Sequence, residues 1–141
     1  MMTKKYKILG KYIKDTSGET PNIETYIFVK DQISKYQLGI DINSKTLKNK
    51  MIEIETMLKF SDKEQNKKKS YFEINFATII KIDDEVKEKN ELEKIILCDV
   101  QIEIYPNLEK SLLDLLHNSG YPGIKFEKKV NFEELYNQRL N

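Results

Sequence analysis

The chain has 141 residues, a length that suits a single domain, and its 24 Lys and Arg residues nearly balance 23 Asp and Glu residues. A net charge of +1 gives no overall field that would favour nucleic acid or an anionic membrane surface as a partner. The single cysteine, Cys98, excludes an intrachain disulfide framework, and the apolar runs are too short for membrane insertion as a span.

The N-terminal part of the chain begins as a strand and then loses a clear pattern. Residues 1–5 lack the apolar core of a signal peptide, so we expect a cytoplasmic protein. Residues 6–13 alternate and predict a half-buried strand, with one side formed by Tyr6, Ile8 and Tyr12 and the other by Lys7, Leu9, Lys11 and Ile13. Residues 15–22 are dense in turn-forming residue types and predict a break. Residues 23–33 predict an extended segment that crosses an edge of the sheet.

Three further runs alternate between apolar and other side chains, and each predicts a strand. They are residues 36–43, 51–60 and 71–82. The polar connections between them have lengths that close hairpins. We therefore expect an antiparallel meander of these three strands.

A long amphipathic helix is predicted to start between residues 83 and 90 and to end near Asn118. Apolar residues at spacings of three and four share one stripe of this helix: Leu97, Val100, Ile104, Leu108, Leu112, Leu115 and Leu116. Further apolar residues widen the stripe, so we expect a second copy of the chain to cover part of it. Pro106 removes a backbone donor and predicts a kink or break near residues 102–105.

The end of the chain contains a helix stop and a helix start. Gly120 favours a C-terminal cap, and Pro122 prevents the helix from continuing. Asn131, followed three residues later by Glu134, predicts the N-cap of a short terminal helix.

Together these elements predict an α+β fold, with a four-stranded antiparallel sheet packed on a long helix in the C-terminal half and a short terminal helix. The outer face of the sheet is expected to carry Leu9, Ile13, Met51, Met57 and Tyr71. A semi-apolar outer face of this kind offers a surface for a partner.

Two separated motifs carry a resemblance to a known family. Residues 12–22 read Tyr-Ile-Lys-Asp-Thr-Ser-Gly-Glu-Thr-Pro-Asn, and residues 130–136 read Val-Asn-Phe-Glu-Glu-Leu-Tyr. With Tyr105-Pro106 and Gly120-Tyr121-Pro122 between them, they resemble the motifs of the SecB family of export chaperones, in the same order and at compatible spacings. The resemblance spans nearly the whole chain, so we expect one SecB-like domain over residues 1–141.

The resemblance implies an ATP-independent chaperone without cofactors. Members of that family assemble as a homotetramer, a dimer of dimers, hold unfolded precursor proteins in apolar grooves, and pass them to the translocase motor ATPase. By position, it implies a client groove formed by Ile23, Tyr26, Phe28, Tyr36, Leu38, Ile40, Phe132, Leu135 and Tyr136. Each of these side chains could instead belong to the core.

For the motor contact, the resemblance implies Asp15, Glu19 and Glu73. The alternative is that Asp15 and Glu19 cap a turn and that Glu73 is a solvated strand residue. The chain also departs from the family, because its charge is near neutral, Gly18 replaces a phenylalanine, and residues 67–69 make a hairpin turn basic.

The sequence contains no constellation that supports an enzyme, a metal site or a nucleic-acid site. His117 is the only histidine and Cys98 has no histidine near it in sequence, so neither predicts catalysis. Two alternatives to an export chaperone stay open. One is a SecB-like chaperone that guards the antitoxin of a toxin–antitoxin module, and the other is an oligomeric adaptor that binds one folded partner.

Overall fold

The computed structural model describes residues 5–62, 68–126 and 129–140. The elements in chain order are β1 (Tyr6–Glu19), α1 (Ile23–Gln32), β2 (Gln37–Thr46), β3 (Met51–Ser61), β4 (Tyr71–Ile82), α2 (Lys89–Lys94), α3 (Val100–Asn118) and α4 (Phe132–Leu140). A short 3-10 turn at Ile33–Lys35 precedes β2, and a π-helical segment at Ile95–Asp99 joins α2 to α3. The predicted α+β fold, with its sheet, long helix and short terminal helix, is confirmed.

The four strands form one antiparallel sheet in the order β1-β4-β3-β2, so β1 and β2 are its edges. The predicted meander of β2, β3 and β4 is confirmed. One face of β3 and β4 is buried under the helices through Ile52, Ile54, Leu58, Phe60, Phe72, Ile74, Phe76 and Ile80. The alternation of β3 and β4 therefore predicts the buried face correctly.

The first strand differs from its prediction in two ways. It continues through residues 15–19, where a break was predicted, because these residues pair with the start of β4. It also contains register shifts between Ile8 and Gly10 and between Ile13 and Asp15. The first shift moves Tyr12 to the outer face, opposite Ala77, and Ile13 to the helix side, opposite Phe76. The predicted sides of these two residues were therefore wrong.

Residues 23–32 form a helix, so the prediction of an extended segment was wrong. Asn22 caps this helix, because its side-chain oxygen accepts from the Thr25 amide at 2.9 Å. Thr25 and Val29, one turn apart, are buried against the rest of the domain. Capping and burial together outweigh the strand-forming composition of the segment.

The long helix is continuous across Pro106, so of the kink or break predicted near residues 102–105 the break was wrong. The irregularity lies upstream, in the π-helical segment, and it is linked to Gln101, which is fully buried. Gln101 Nε2 donates to the Ile96 carbonyl at 3.1 Å, and Thr56 Oγ1 of β3 donates to Gln101 Oε1 at 2.9 Å. The amide group is thus satisfied within an apolar core, as buried polar groups require.

The core lies between the helices and the sheet. The predicted stripe contributes five fully buried residues: Val100, Ile104, Leu108, Leu112 and Leu116. Each fully buried aliphatic side chain of this size stabilises the fold by about 1.5–3 kcal/mol relative to an exposed one. Cys98, in the π-helical segment, is also fully buried. Among the helices that the structure describes, none has the length and apolar character needed to cross a membrane.

Candidate functional site

Three connected depressions run along the β2 edge of the sheet. The first, of about 680 Å³, lies between the start of β2 and residues 123–126. The second, of about 470 Å³, shares Leu38 with it, and the third, of about 310 Å³, shares Ile40 and Leu135 with the second. We call this row of adjoining depressions the β2 groove.

The helix α4 forms one wall of the β2 groove, and three contacts fix its position. The Asn131 side chain accepts from the Glu134 amide at 3.0 Å, which confirms the predicted cap. Phe132 packs edge-on against Tyr105 with the ring centroids 5.3 Å apart, and Tyr136 donates its hydroxyl proton to the Asn90 carbonyl at 3.1 Å. With these two rings buried, Leu135 is left 48% exposed along the groove.

The segment after α3 forms the wall at the other end of the groove. Gly120 ends α3 with a φ of 106°, and the Tyr121 amide donates to the Leu116 carbonyl at 3.0 Å. His117 Nε2 lies 3.2 Å from the Ile124 carbonyl oxygen. The Phe126 ring packs edge-on against Phe60 of β3 at a centroid distance of 5.5 Å.

A small polar cluster supports the floor of the first depression. The buried Ser70 amide donates to the Tyr36 hydroxyl at 2.9 Å, and burial raises the pKa of Tyr36. The Ser70 hydroxyl lies 3.2 Å from the hydroxyl of Tyr121 and 2.7 Å from that of Thr20. Because its hydroxyl is already bonded, Tyr36 offers mainly its ring to the groove.

The structure brings together six of the nine side chains predicted for the client groove. Tyr36, Leu38, Ile40, Phe132, Leu135 and Tyr136 all line the β2 groove. Tyr36, Phe132 and Tyr136 are buried, so they form its floor, whereas Leu38 and Ile40 are half-buried.

The other three predicted residues, Ile23, Tyr26 and Phe28, lie on α1 outside these depressions. Ile23 and Phe28 are exposed, and Tyr26 packs against the end of α3. Other groove residues were not predicted from the sequence, among them Ile33, Ile42, Phe60, Leu97, Ile124 and Phe126. Ile42 continues the alternation of Leu38 and Ile40 and could have been found from it.

The three acidic residues predicted for the motor contact share the outer face of the sheet. Glu73 pairs with Ser17, while Asp15 and Glu19 lie two positions to either side of Ser17 on the same strand. Such diagonal neighbours are about 7–8 Å apart between Cα atoms. The Ser17 hydroxyl donates to the Asp15 carboxylate at 3.0 Å.

Elsewhere on the outer face, acidic side chains are paired. Lys14 forms ion pairs with Glu55 and, at 3.2 Å, with Glu53, both on β3 and two strands away. The hydrogen bond from Lys14, followed by one from Asn75, lowers the pKa of Glu55, and the hydrogen bonds to Glu55 and Glu53 raise the pKa of Lys14. Asp15, Glu19 and Glu73 form the acidic end of this face, while Glu53 and Glu55 share the single positive charge of Lys14.

No group of three or more metal-ligating side chains converges among the residues for which coordinates are described. The candidate site thus has two parts, the partly apolar β2 groove and the charged outer face of the sheet.

The family of the chain is shown by its match to a family model. The model of the family described as preprotein translocase subunit SecB matches residues 2–141. The chain belongs to the SecB family.

Its relatives agree with this assignment. A protein of Pelagibacter ubique (strain HTCC1062), provisionally named protein-export protein SecB, is 60% identical over 99% of this chain and 100% of its own length. The protein-export protein SecB of Parvibaculum lavamentivorans is 26% identical over 94% of this chain and 77% of its own length.

A solved structure shares the SecB fold. The SecB-like chaperone of Mycobacterium tuberculosis, in complex with a ChAD peptide from the HigA1 antitoxin, superposes with a TM-score of 0.61. The match covers 89% of this chain and 91% of that one, at 13% identity. SecB is a chaperone family rather than an enzyme family.

Proposed function

We propose that this SecB-family chain is an ATP-independent holding chaperone that binds unfolded precursor proteins along the β2 groove and keeps them competent for export. The observation that carries the proposal is the row of three connected, partly apolar depressions beside an edge strand. No cofactor or catalytic step is needed, because holding requires only that exposed apolar segments of a client are covered.

The geometry of β2 favours an extended client. Leu38, Ile40 and Ile42 alternate along β2 and point to the groove side, and Tyr36 to Ile42 spans about 20 Å at the usual rise of a strand. One backbone edge of β2 lies outside the sheet pairing and can accept the main chain of a client as an added strand. Only every second side chain of such a client then needs to be apolar, so many client sequences can bind in the groove.

A single groove of this size provides modest affinity, and several grooves on one assembly would bind a long client more tightly. We propose a homotetramer, a dimer of dimers, because sites joined in one particle add through effective concentration. Exposed apolar residues on the helix side, Ile13 and Ile102, support further burial between subunits.

The proposed route is cytoplasmic and ends at the translocase motor ATPase. The acidic end of the outer face, formed by Asp15, Glu19 and Glu73, supports a contact with a basic surface of the motor. Lys14 forms ion pairs with Glu53 and Glu55, which reduces the negative charge that a docking partner would meet beside this end.

The test is whether the purified protein, without nucleotide, keeps a denatured secretory precursor soluble in a light-scattering assay. We expect Leu135→Asp to weaken this holding activity at least tenfold, because it places a charge along the groove. Leu9→Asp is the matched control, since Leu9 has a similar exposure on β1 and does not line the groove. Wild-type protein that fails to suppress aggregation would instead favour an adaptor for a folded partner.

A chaperone for an antitoxin is the second candidate, favoured by the near-neutral charge of the chain. The two candidates differ in the partner that co-purifies from the source organism, either the translocase motor or one small antitoxin. The names of the relatives at 60% and 26% identity support export as the first choice.

A further inference from the structure

The helix α1 is built from residues that prefer strands. Six of its ten residues are β-branched or aromatic: Ile23, Thr25, Tyr26, Ile27, Phe28 and Val29. These types lose side-chain freedom in a helix and are enriched in strands. The helical state also leaves Ile23 70% and Ile27 59% exposed. The intrinsic preferences of the segment therefore oppose the conformation that it adopts.

Tertiary contacts hold α1 in the helical state. The Asn22 cap starts it, and Thr25 and Val29 are its two buried residues. Tyr26 donates its hydroxyl proton to the Gly120 carbonyl at 2.9 Å, and its ring lies 5.5 Å from that of Tyr121. This hydrogen bond and ring contact form a clasp between α1 and the end of α3.

The clasp lies next to the first depression of the β2 groove, which is lined by Tyr36, Phe60 and Phe126 and which we call its aromatic end. Tyr121 is buried, packs edge-on against Phe72, and shares Ser70 with Tyr36 on the groove floor. The turn after α1 contributes Ile33 to the wall of the first depression. Release of α1 would therefore uncover Tyr121 beside a depression that already binds, on our proposal, part of a client.

We propose that α1 is a strap with two states, a clasped helix and a released, extended segment, and that release lengthens the β2 groove at its aromatic end. The inference rests on the proposed function, because an extended client with large apolar side chains is the ligand that selects the released state. In that state the exposed residues of α1 become part of the client surface, including the predicted Ile23 and Phe28.

Tyr26→Phe tests the clasp, because it removes the hydrogen bond and keeps the ring. We expect the amides of residues 23–32 to exchange with deuterium about fivefold faster, with no change in α3, since a neutral hydrogen bond of this kind is lost. Client affinity should rise by up to about fivefold, because a larger fraction of the protein is already released. Tyr12→Phe is the control, as it removes a tyrosine hydroxyl from the outer face instead.

The double variant Ile23→Leu/Ile27→Leu tests the opposite direction. It keeps the apolar surface but replaces β-branched residues with a better helix former. We expect slower exchange in residues 23–32 and a client affinity about twofold lower. If α1 were a fixed helix that merely contacts clients, the two variants would not shift exchange and client affinity in opposite directions.

The strap is wrong if Tyr26→Phe leaves exchange in α1 unchanged, or if both variants shift client affinity in the same direction. A wild-type protein that binds no denatured precursor would overturn the proposed function alone. In that case the exchange rates of the two variants still decide between a strap and a fixed helix.

Discussion

Gly120 is the residue on which the junction of α3, the groove wall and α1 depends. Its amide donates to the His117 carbonyl and that of Tyr121 to the Leu116 carbonyl, which together form a Schellman cap. Its φ of 106° lies in the region that only glycine adopts without strain. A Cβ at this position would lie 2.6 Å from Cε1 of Tyr26. The absence of a side chain thus allows both the turn and the clasp.

We predict that Gly120→Ala lowers the free energy of unfolding by about 1–3 kcal/mol, because it adds backbone strain and displaces the Tyr26 ring. Chemical denaturation measures the change. Gly123→Ala serves as the control, since a Cβ at that position would meet nothing within 4 Å. Equal losses in the two variants would contradict the role given to Gly120.

At the scale of elements, the π-helical segment ties the long helix to the middle of the sheet. Gln101 reaches back to the Ile96 carbonyl and across to Thr56 on β3, so helix and strand share one buried hydrogen-bond network. Burying such a network costs little stability when all its hydrogen bonds are made, and much when one polar group is left unpaired. It therefore favours one alignment of α3 against the sheet.

We predict that Gln101→Leu destabilises the protein by about 1–3 kcal/mol, because it leaves Thr56 unpaired in the core. Adding Thr56→Val should recover part of this loss, since both polar groups are then removed. Thermal unfolding of the single and double variants gives the coupling energy. If the two losses simply add, the hydrogen bond has no specific role.

The elements with strong periodicity could be predicted from sequence, and those held by tertiary contacts could not. The strands β2, β3 and β4 and the stripe of α3 repeat a local pattern over many residues. In contrast, α1 depends on an N-cap and on burial of Thr25 and Val29, which composition alone does not reveal. The π-helical segment depends on a glutamine reaching across to another element, so it also leaves no local signal.

The same contrast applies to the candidate site. Leu38, Ile40, Phe132 and Leu135 were assigned to the groove by the resemblance to the SecB family, and the alternation of β2 and the Asn131 cap of α4 are the local patterns that position them. Phe60 and Phe126 were missed because only the fold brings them together, at a ring distance of 5.5 Å. The placement of α1 outside the β2 groove follows from its unpredicted helical state.

At the scale of the whole molecule, the chain leaves apolar surface uncovered on its helix side. Ile102 of α3 is 49% exposed, and Ile13 is exposed on the edge strand β1. Apolar surface of this kind on a helix that already packs on a sheet is typical of an interface between copies.

We predict that wild-type protein at micromolar concentration has the mass of a tetramer in light scattering, and that Ile102→Asp reduces the mass to that of a dimer or monomer. The reason is that a buried, unpaired carboxylate opposes association. Ile23→Asp is the control, because Ile23 is exposed on α1 rather than on α3. A monomeric wild-type protein would remove the basis of the tetramer proposal.

The position of Cys98 gives the chain an internal reporter. It is the only thiol, and it is fully buried in the π-helical segment that leads into the long helix. Burial also raises its pKa, which keeps it in the less reactive protonated form. Alkylating reagents can therefore label it only after the packing around this segment opens. Their rate of labelling in native protein would measure how often this packing opens, including the contact between the π-helical segment and α4.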